Sequence, residues 1–456
     1  MNPMQLRKKF FSALAVLAFG AALFAQSAGE NETLRLTVDD AVGYALEGNL
    51  SLKQSEISLQ TAKHSADLAW GAAMPSISAS GSFTQSFIDP GISSVTLGGS
   101  ISLALTPALY TAIRSAVLSY EQQQITYGQA RKTIELNVRQ LFTALLYQQE
   151  YIALLEKSVE SAQRQFDSDT VKYNRGTLPQ VNLLSDQVSL QQAQLNYESQ
   201  KISFENNRAS FKQILGIPQS TQISLEGSLN DILSAGEITM EKVNAVRQKS
   251  TEMAALEKQM ETADNALLAT RFSAWGPVLS VAYNINWSGN NSHTVLSPAG
   301  MTAEKGDFEF GSDPSAHALS LGVSIPLDGY LPWSSGARSI AAQKSTVESL
   351  KLSMENQRTT EDINIQNYLN TIKSTQDSMK LGQSSVELAQ QNLALTEAAY
   401  NHGTRSLLEL QTARDNLNSA MVNVMSNAST LITAILNLES TIGVPFGTLT
   451  NQAETE

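Results

Sequence analysis

The residues of this chain that could perform acid–base or metal chemistry are not arranged as a catalytic site. The histidines are scattered without the spacing of metal ligands; they are His64, His293, His317 and His402. Two acid pairs, Asp39-Asp40 and Glu361-Asp362, fit a helix start and a solvated helix face. The chain contains no cysteine, no phosphate-binding loop and no nucleophile elbow. The sequence therefore predicts no enzyme activity, no metal and no cofactor.

A short polar motif instead occurs twice in equivalent surroundings. The pattern Tyr-Asn-x-Gly-Thr is found at residues 173–177 and again at residues 400–404, an offset of 227 residues. At the same offset a Gly-x-Pro sequence at 216–218 recurs at 443–445, and an offset of 202 residues aligns earlier segments. The sequence thus predicts two tandem copies of a unit of roughly 200 residues.

Long helices are expected to position the two motifs. Residues 108–178 and 333–444 contain no proline and are rich in helix-forming residues, with apolar residues recurring about every 3.5 positions. Glycine in each motif can adopt the left-handed conformation that ends a helix. We therefore predict one long helical hairpin per half, with its tip at Gly176 or Gly403. Plain helix caps without a further role are the alternative interpretation of these glycines.

Before each long helix, the apolar period changes from about 3.5 to 2. The alternating segments are residues 76–83, 95–105, 278–287 and 317–325. Segments of about 10 residues can cross a bilayer as tilted strands. A turn at Asp89-Pro90-Gly91 is expected to join the first pair, and a Gly-, Ser- and Asn-rich loop from Gly289 to Pro314 the second. Unpaired edges cannot face lipid and barrels need at least eight strands, so a closed dimer or trimer is predicted.

The N-terminal residues are typical of a secretory signal peptide. Arg7, Lys8 and Lys9 precede an apolar run from Phe10 to Phe24. After it, no stretch approaches the roughly 18 consecutive apolar residues of a membrane-spanning helix. The net charge of −12 argues against nucleic acid as a partner.

These features define a predicted domain organisation. Each half is expected to place two strands before its helical hairpin. The predicted boundaries are a signal peptide at 1–25, a first repeat at 36–218 (strands about 75–106, hairpin about 108–215), a linker at 219–237, a second repeat at 238–445 (strands about 277–326, hairpin about 334–442) and a tail at 446–456.

In this order, the features resemble the outer-membrane efflux proteins of the TolC family over residues 36–445. The resemblance implies an α+β membrane protein and a homotrimer. Its twelve strands would form an outer-membrane β-barrel, continued by an α-helical barrel in the periplasm. The implied function is the exit duct of a tripartite efflux or type I secretion system. Implied partners are a periplasmic membrane-fusion adaptor and an inner-membrane transporter of the RND, ABC or MFS type.

The family also suggests where the channel is held closed. Tyr400 and Arg405 match its aromatic and basic latch residues, and Glu409 matches the first of two acids that ring the constriction. Asn182 stands where the latch arginine would find an aspartate, and Thr412 replaces the second ring acid. These departures predict a looser or differently wired latch, because a neutral amide gives up the charge-assisted part of the contact. A solvated surface charge is the alternative role of Arg405.

The same tips are where family members meet their adaptors. Matching residues are Gly176, Thr177, Leu178, Gly403, Thr404, Arg405 and Ser406. Pro179 departs from the family pattern and is expected to stiffen the first tip, and a bare loop is the alternative role. At the level of the whole chain, the competing hypotheses are a non-conducting periplasmic coiled-coil adaptor or scaffold and a simple porin.

Overall fold

The computed structural model describes residues 33–85, 93–229, 238–297, 300–311 and 317–450. The predicted signal peptide, the turn at 89–91 and part of the predicted linker lie outside these residues. The helices are α1 (Val38–Gly48), α2 (Leu50–Asp67), α3 (Ala108–Asn174), α4 (Gln180–Leu215), α5 (Met240–Val246), α6 (Thr251–Trp275), α7 (Ser335–Asn401) and α8 (Leu407–Thr441). The strands are β1 (Leu34–Leu36), β2 (Ser76–Gln85), β3 (Ser93–Leu105), β4 (Ile223–Leu225), β5 (Val278–Ser297), β6 (Gly300–Gly311) and β7 (His317–Ser324).

The two longest helices, α3 and α7, each contain 67 residues. Each is followed after a short turn by a second helix, α4 with 36 residues and α8 with 35. Helices of this length are possible because proline is excluded from their interiors. The chain forms two compact units, and each unit combines segments from both halves of the sequence.

Unit 1 comprises Met1–Ser51, Arg131–Arg247 and Ile365–Glu456. Its core joins apolar side chains of α1, α3, α4, α7 and α8. Phe142 of α3 and Phe211 of α4 are fully buried against each other, with ring centroids 6.2 Å apart. Strand β1 pairs in parallel with β4, so the predicted linker contributes a strand to this unit.

Helix α8 is the one helix within the described residues that is long and apolar enough to cross a membrane by length and composition. The apolar C-terminal part of α8 packs inside the protein. Leu431, Ile432, Ile435 and Leu438 are buried in the core of unit 1. Packing within the protein therefore accounts for part of the hydropathy of α8.

A buried carboxylate anchors the last described residues to unit 1 through hydrogen bonds. Glu439 of α8 has no exposed surface and accepts hydrogen bonds from the backbone N–H groups of Gly447, at 2.9 Å, and Leu449, at 2.8 Å. Burial raises the pKa of Glu439, while these two hydrogen bonds act in the opposite direction. Nearby, the Arg139 guanidinium covers the Phe446 ring at 5.5 Å and donates to Asp39 at 2.9 Å. The predicted tail thus begins as part of the core.

Replacing Glu439 with Gln is expected to loosen this segment. An amide nitrogen cannot accept a hydrogen bond, so one of the two backbone donors loses its partner, at a cost of about 1–3 kcal/mol. Hydrogen exchange of residues 445–450 should accelerate at least about five-fold. Glu160→Gln, which changes an exposed carboxylate, is the matched control and should leave this exchange unchanged. Equal exchange in wild type and Glu439→Gln would contradict the anchoring role.

Unit 2 comprises Leu52–Ala130 and Gln248–Asn364, and its centre is an antiparallel sheet. Strand β3 pairs with β2 on one side and with β5 on the other. The opposite edge of β5 is shared, because residues 278–285 pair with β7 and residues 288–297 pair with β6. Strands β6 and β7 therefore succeed each other along one edge of the sheet.

The two faces of this sheet differ in chemistry. Residues paired across the strands place apolar side chains together, as in the partners Leu97 and Trp287 or Tyr283 and Leu319. The exposed apolar side chains of this face are Ile77, Phe83, Leu97, Ile101, Leu105, Leu279, Tyr283, Trp287, Leu319, Leu321 and Val323. The other face carries Ser, Asn, Thr and Gly, for example Ser78 paired with Ser100. The period of two seen in the sequence thus separates an apolar from a polar surface.

One sequence prediction is wrong in this region. The segment from Gly289 to Pro314 was expected to be a loop because it is rich in Gly, Ser and Asn, but β5 continues to Ser297 and β6 spans Gly300–Gly311. Backbone pairing from Ser288–Gly311 to Ser297–Gly300, with a register shift near Asn290, builds a hairpin here. The prediction relied on composition alone. Residues with a low preference for strands can still form one when a neighbouring strand pairs with them.

Candidate functional site at the hairpin tips

Both hairpin tips, which belong to unit 1, end their long helix in the same way. Gly176 and Gly403 have φ angles of 75°, in the left-handed region that favours glycine. Their N–H groups donate to the carbonyls of Tyr173 and Tyr400, at 2.8 and 2.9 Å. A Cβ atom at either glycine would meet no atom within 4 Å. The requirement for glycine is therefore one of backbone conformation, and the chain reverses at both glycines as the sequence predicts.

The side chain of Tyr400 connects the two hairpins. Its hydroxyl, on α7, donates to Oδ2 of Asp169 on α3 at 2.5 Å. Asp169 is fully buried and also accepts from Lys172, at 2.7 Å, and Gln165, at 2.9 Å. Burial alone would raise the pKa of Asp169, but the hydrogen bonds from Lys172 and Tyr400 outweigh it and lower the pKa. The hydrogen bond between Tyr400 and Asp169 therefore joins the two hairpins through a buried carboxylate.

A second carboxyl group, Asp186 of α4, lies beside Asp169. It is 2% exposed, and its Oδ2 atom is buried with no hydrogen-bond partner in the part of the chain that the structure describes. Burial raises the pKa of Asp186 to about 7, and Asp169 contributes to the increase because it can accept a hydrogen bond from the protonated Asp186 carboxyl and because its negative charge opposes ionisation. Arg414 of α8 and Lys172 of α3 partly offset that increase. The tip region thus brings two carboxyl groups and two cations together from three helices.

Arg405 and Glu409 form a local pair at the start of α8. The Arg405 guanidinium donates to Glu409 one helical turn further on, and both side chains are exposed. Glu409 also accepts from the backbone N–H of Ser406 at 2.8 Å, and the Ser406 hydroxyl caps the N–H of Glu409 in return. The Ser406 N–H and the Arg405 guanidinium lower the pKa of Glu409 to about 2. Both predicted gate residues therefore also stabilise the helix start.

Asn182 lies near Arg405 without being its partner within the chain. The Asn182 backbone N–H donates to Pro179, which precedes the first residue of α4. Asn182, Arg405 and Tyr400 border one cavity of about 610 Å³ between the two tips. Leu178 and Ser406, predicted to contact an adaptor, border the same cavity. The cavity thus brings together most of the predicted gate and tip residues, but its lining does not include Glu409, Gly176 or Thr404.

Sequence reasoning missed the buried side chains behind this opening. Asp169 interrupts the 3.5-residue apolar period of α3, and the sequence analysis assigned no role to Asp169, Asp186 or Arg414. A charged residue within the 3.5-residue apolar period could have indicated these side chains. Such a position is expected to be buried, and a buried charge requires partners. Arg414 donates weakly to Gln165 and Glu397, both at 3.4 Å.

Comparison with known proteins identifies the family. The profile of the outer membrane efflux proteins matches residues 41–217 and 243–444. The chain belongs to the outer membrane efflux protein family. The match includes both hairpins and both pairs of alternating segments. No curated protein sequence matches the chain significantly.

Solved structures of other outer membrane channels share the fold of this efflux protein. CusC superposes with a TM-score of 0.71 at 13% identity, covering 92% of this chain and 96% of CusC. Campylobacter jejuni CmeC gives 0.68 at 16% identity, covering 89% and 85%. Vibrio cholerae VceC gives 0.67 at 13% identity, covering 90% and 96%. At this identity the likeness concerns the fold.

Family membership narrows the functional class of this efflux protein. The family consists of outer-membrane channel proteins rather than enzymes, and it favours transport over a periplasmic adaptor or scaffold. Within the described residues, His, Asp and Glu form no group of three or more that could hold a metal ion.

Proposed function

We propose that this efflux protein is a homotrimeric exit duct of a tripartite efflux or type I secretion system. It receives substrates from an inner-membrane transporter of the RND, ABC or MFS type, through a periplasmic membrane-fusion adaptor, and releases them across the outer membrane. A cleaved signal peptide directs it there. Nucleic acid plays no part in this function.

The observation that carries the proposal is the two-faced sheet of unit 2. An exposed apolar face that spans β2, β3, β5 and β7 is costly in water. The polar face opposite it suits a water-filled lumen. Both faces are explained if the apolar face contacts lipid and the polar face contacts water.

The free edges of the sheet support the trimer. Strand β2 has a partner on one side only among the described residues, and so do β6 and β7. Inside a bilayer such edges require partners, and further copies of the chain can supply them. Three copies, with β6 and β7 counted as one interrupted strand, give a closed barrel of twelve strands, and the helical hairpins continue it as a periplasmic tunnel. The tandem repeat provides each copy with two matched hairpins.

The tips are proposed to carry the gate and the adaptor contact. Tyr400, Arg405 and Asn182 hold the closed state, and Glu409 lines the constriction. Adaptor contacts are assigned to the tip residues Gly176, Thr177, Leu178, Gly403, Thr404, Arg405 and Ser406, all of which are exposed except the half-buried Leu178. Co-purification of an adaptor and a pump with this chain identifies the transport system.

Cell fractionation tests the function directly. The protein is expected in the outer membrane as a trimer that survives detergent extraction. Recovery as a soluble periplasmic monomer would favour the adaptor or scaffold hypothesis instead. Adjacent residues of β7 lie on opposite faces of the sheet, so substituting them separately tests which face contacts lipid.

Leu321→Lys is expected to reduce insertion into the outer membrane several-fold. Leu321 is 70% exposed on the apolar face, and a lysine facing lipid costs about 2–4 kcal/mol at the bilayer midplane. Ser320→Lys, one residue away on the polar face, is the matched control and should assemble normally. The quantity to measure is trimer yield in outer-membrane fractions. Equal yields for the two variants would argue against lipid contact at this face.

A further inference from the structure

The buried Asp169–Asp186 pair has no role in the latch expected from the sequence. Its two carboxyl groups come from the two arms of the first hairpin, and both are at most 2% exposed. Tyr400 reaches Asp169 from α7, and Arg414 faces Asp186 from α8. The pair therefore lies where all four long helices of unit 1 meet near their tips.

The hydrogen bonds of the two carboxyl groups are unequal. Asp169 accepts from Tyr400, Lys172 and Gln165, so both of its oxygens have donors. Asp186 Oδ2 is buried and has no donor from any described residue. A buried, unpaired carboxylate oxygen is unfavourable, whereas a protonated one becomes a donor to its neighbour. Two adjacent buried carboxyl groups cannot both be ionised at low cost.

We propose that Asp169 and Asp186 share one proton, and that this proton locks the first hairpin against the second at the tip. With the proton present, Asp186 donates to Asp169, and Asp169 keeps a single negative charge for Tyr400 and Lys172. When the proton leaves, two negative charges remain buried side by side. Among the described residues, the cations that act on the pair are Lys172 and Arg414, and Arg414 itself lies near Glu397. The tip consequently loosens.

The direction of the pH effect follows from the environment of Asp186. Burial and Asp169 raise its pKa from 3.8 to about 7 in the closed tip. Because the closed tip binds the proton more tightly than water-exposed Asp186 does, closure is favoured below about pH 7 and weakens as pH rises through that value. Between pH 6 and pH 8 the closing equilibrium should weaken about ten-fold. The consequence for conduction rests on the proposed function, whereas the shared proton does not.

Asp186→Asn tests the proposal because the amide imitates the protonated acid. It can donate to Asp169 at every pH. Hydrogen exchange of residues 181–190 is measured on the full-length protein in detergent, for wild type and variant at the same pH, so that intrinsic exchange rates cancel. The wild-type rate relative to the variant should rise about ten-fold from pH 6 to pH 8. Asp186→Ser also keeps a hydrogen-bond donor at this position. The same exchange ratio is expected for it, so the test does not depend on the folding of a single variant.

Asp167→Asn provides the matched control. Asp167 carries an exposed carboxylate on α3, so this variant has the same charge change and should keep the pH response of wild type. His402, which is exposed on the second tip, is present in all of these proteins and contributes equally to each. A ratio independent of pH, or the same pH response in Asp186→Asn as in wild type, overturns the shared proton. These outcomes do not depend on whether the protein conducts, so fractionation tests the proposed function separately.

Discussion

Tyr400→Phe combined with Arg405→Ser is expected to shift the proposed channel strongly toward its open state. The first change removes the donor that α7 offers to the buried carboxylate of Asp169. A hydrogen bond to a charged group contributes about 1.5–3 kcal/mol, which is roughly ten-fold to a hundred-fold in the closed-to-open ratio of each chain. In a trimer that opens as a unit, three such losses multiply.

The two substitutions should contribute unequally. Arg405, which precedes α8, pairs with Glu409 in the first turn of that helix, and both side chains are exposed, so Arg405→Ser alone removes a weak contact. Tyr400→Phe alone should therefore account for most of the opening. An effect of Arg405→Ser as large as that of Tyr400→Phe would indicate a partner for Arg405 in a neighbouring copy, such as Asn182.

Planar-bilayer recording measures this prediction. Tyr173→Phe is the matched control because Tyr173 holds the equivalent place in the first tip and is 38% exposed. The double variant should show larger or more frequent open states, while Tyr173→Phe should behave as wild type. An unchanged single-channel conductance together with an unchanged open probability in the double variant would count against the latch.

Glu409→Gln should reduce the preference of the channel for cations about ten-fold at low salt. Three carboxylates around a narrow aqueous constriction attract cations and repel anions, and the amide abolishes that field. Block by multivalent cations from the periplasmic side should weaken in parallel. The measurement is the reversal potential in a salt gradient, with Glu160→Gln as control. Selectivity that does not respond to Glu409→Gln would place the constriction elsewhere.

The acidity of Glu409 and the identity of residue 412 extend this prediction. The pKa of Glu409 is lowered to about 2 by the Ser406 N–H and the Arg405 guanidinium, so the carboxylate stays ionised and selectivity should be constant from about pH 5 to pH 9. Thr412 leaves one acid per chain at this level. Thr412→Asp should restore a second ring and strengthen cation block.

The parts of the structure that depend on local rules were predictable from the sequence. Glycine at 176 and 403 is required by a left-handed backbone, which needs no distant neighbour, and alternation in β2 and β7 reflects the environment of each face. The hairpin from β5 to β6 was missed because its residues take their conformation from paired strands rather than from their own preference.

The chemistry behind the tips depends on which helices are neighbours, and one sequence does not specify that. Asp169 and Asp186 meet only when α3 and α4 fold back on each other, and the contact with Tyr400 requires α7 at a particular register. Arg405 was assigned a partner in the other hairpin, yet it pairs with Glu409, four residues further along the chain in the first turn of α8. Short-range pairing is favoured over a longer reach when both residues are exposed.

The way unit 1 closes on itself has a consequence for biogenesis. Its core contains Leu36 from the start of the described chain and, at the far end, the segment that Glu439 anchors. The core is therefore complete only once synthesis has passed Leu449, although β1 and its partner β4 are made much earlier. Because its two ends come from opposite ends of the described chain, the finished core of unit 1 depends on contacts of high sequence separation, which are expected to form late in folding.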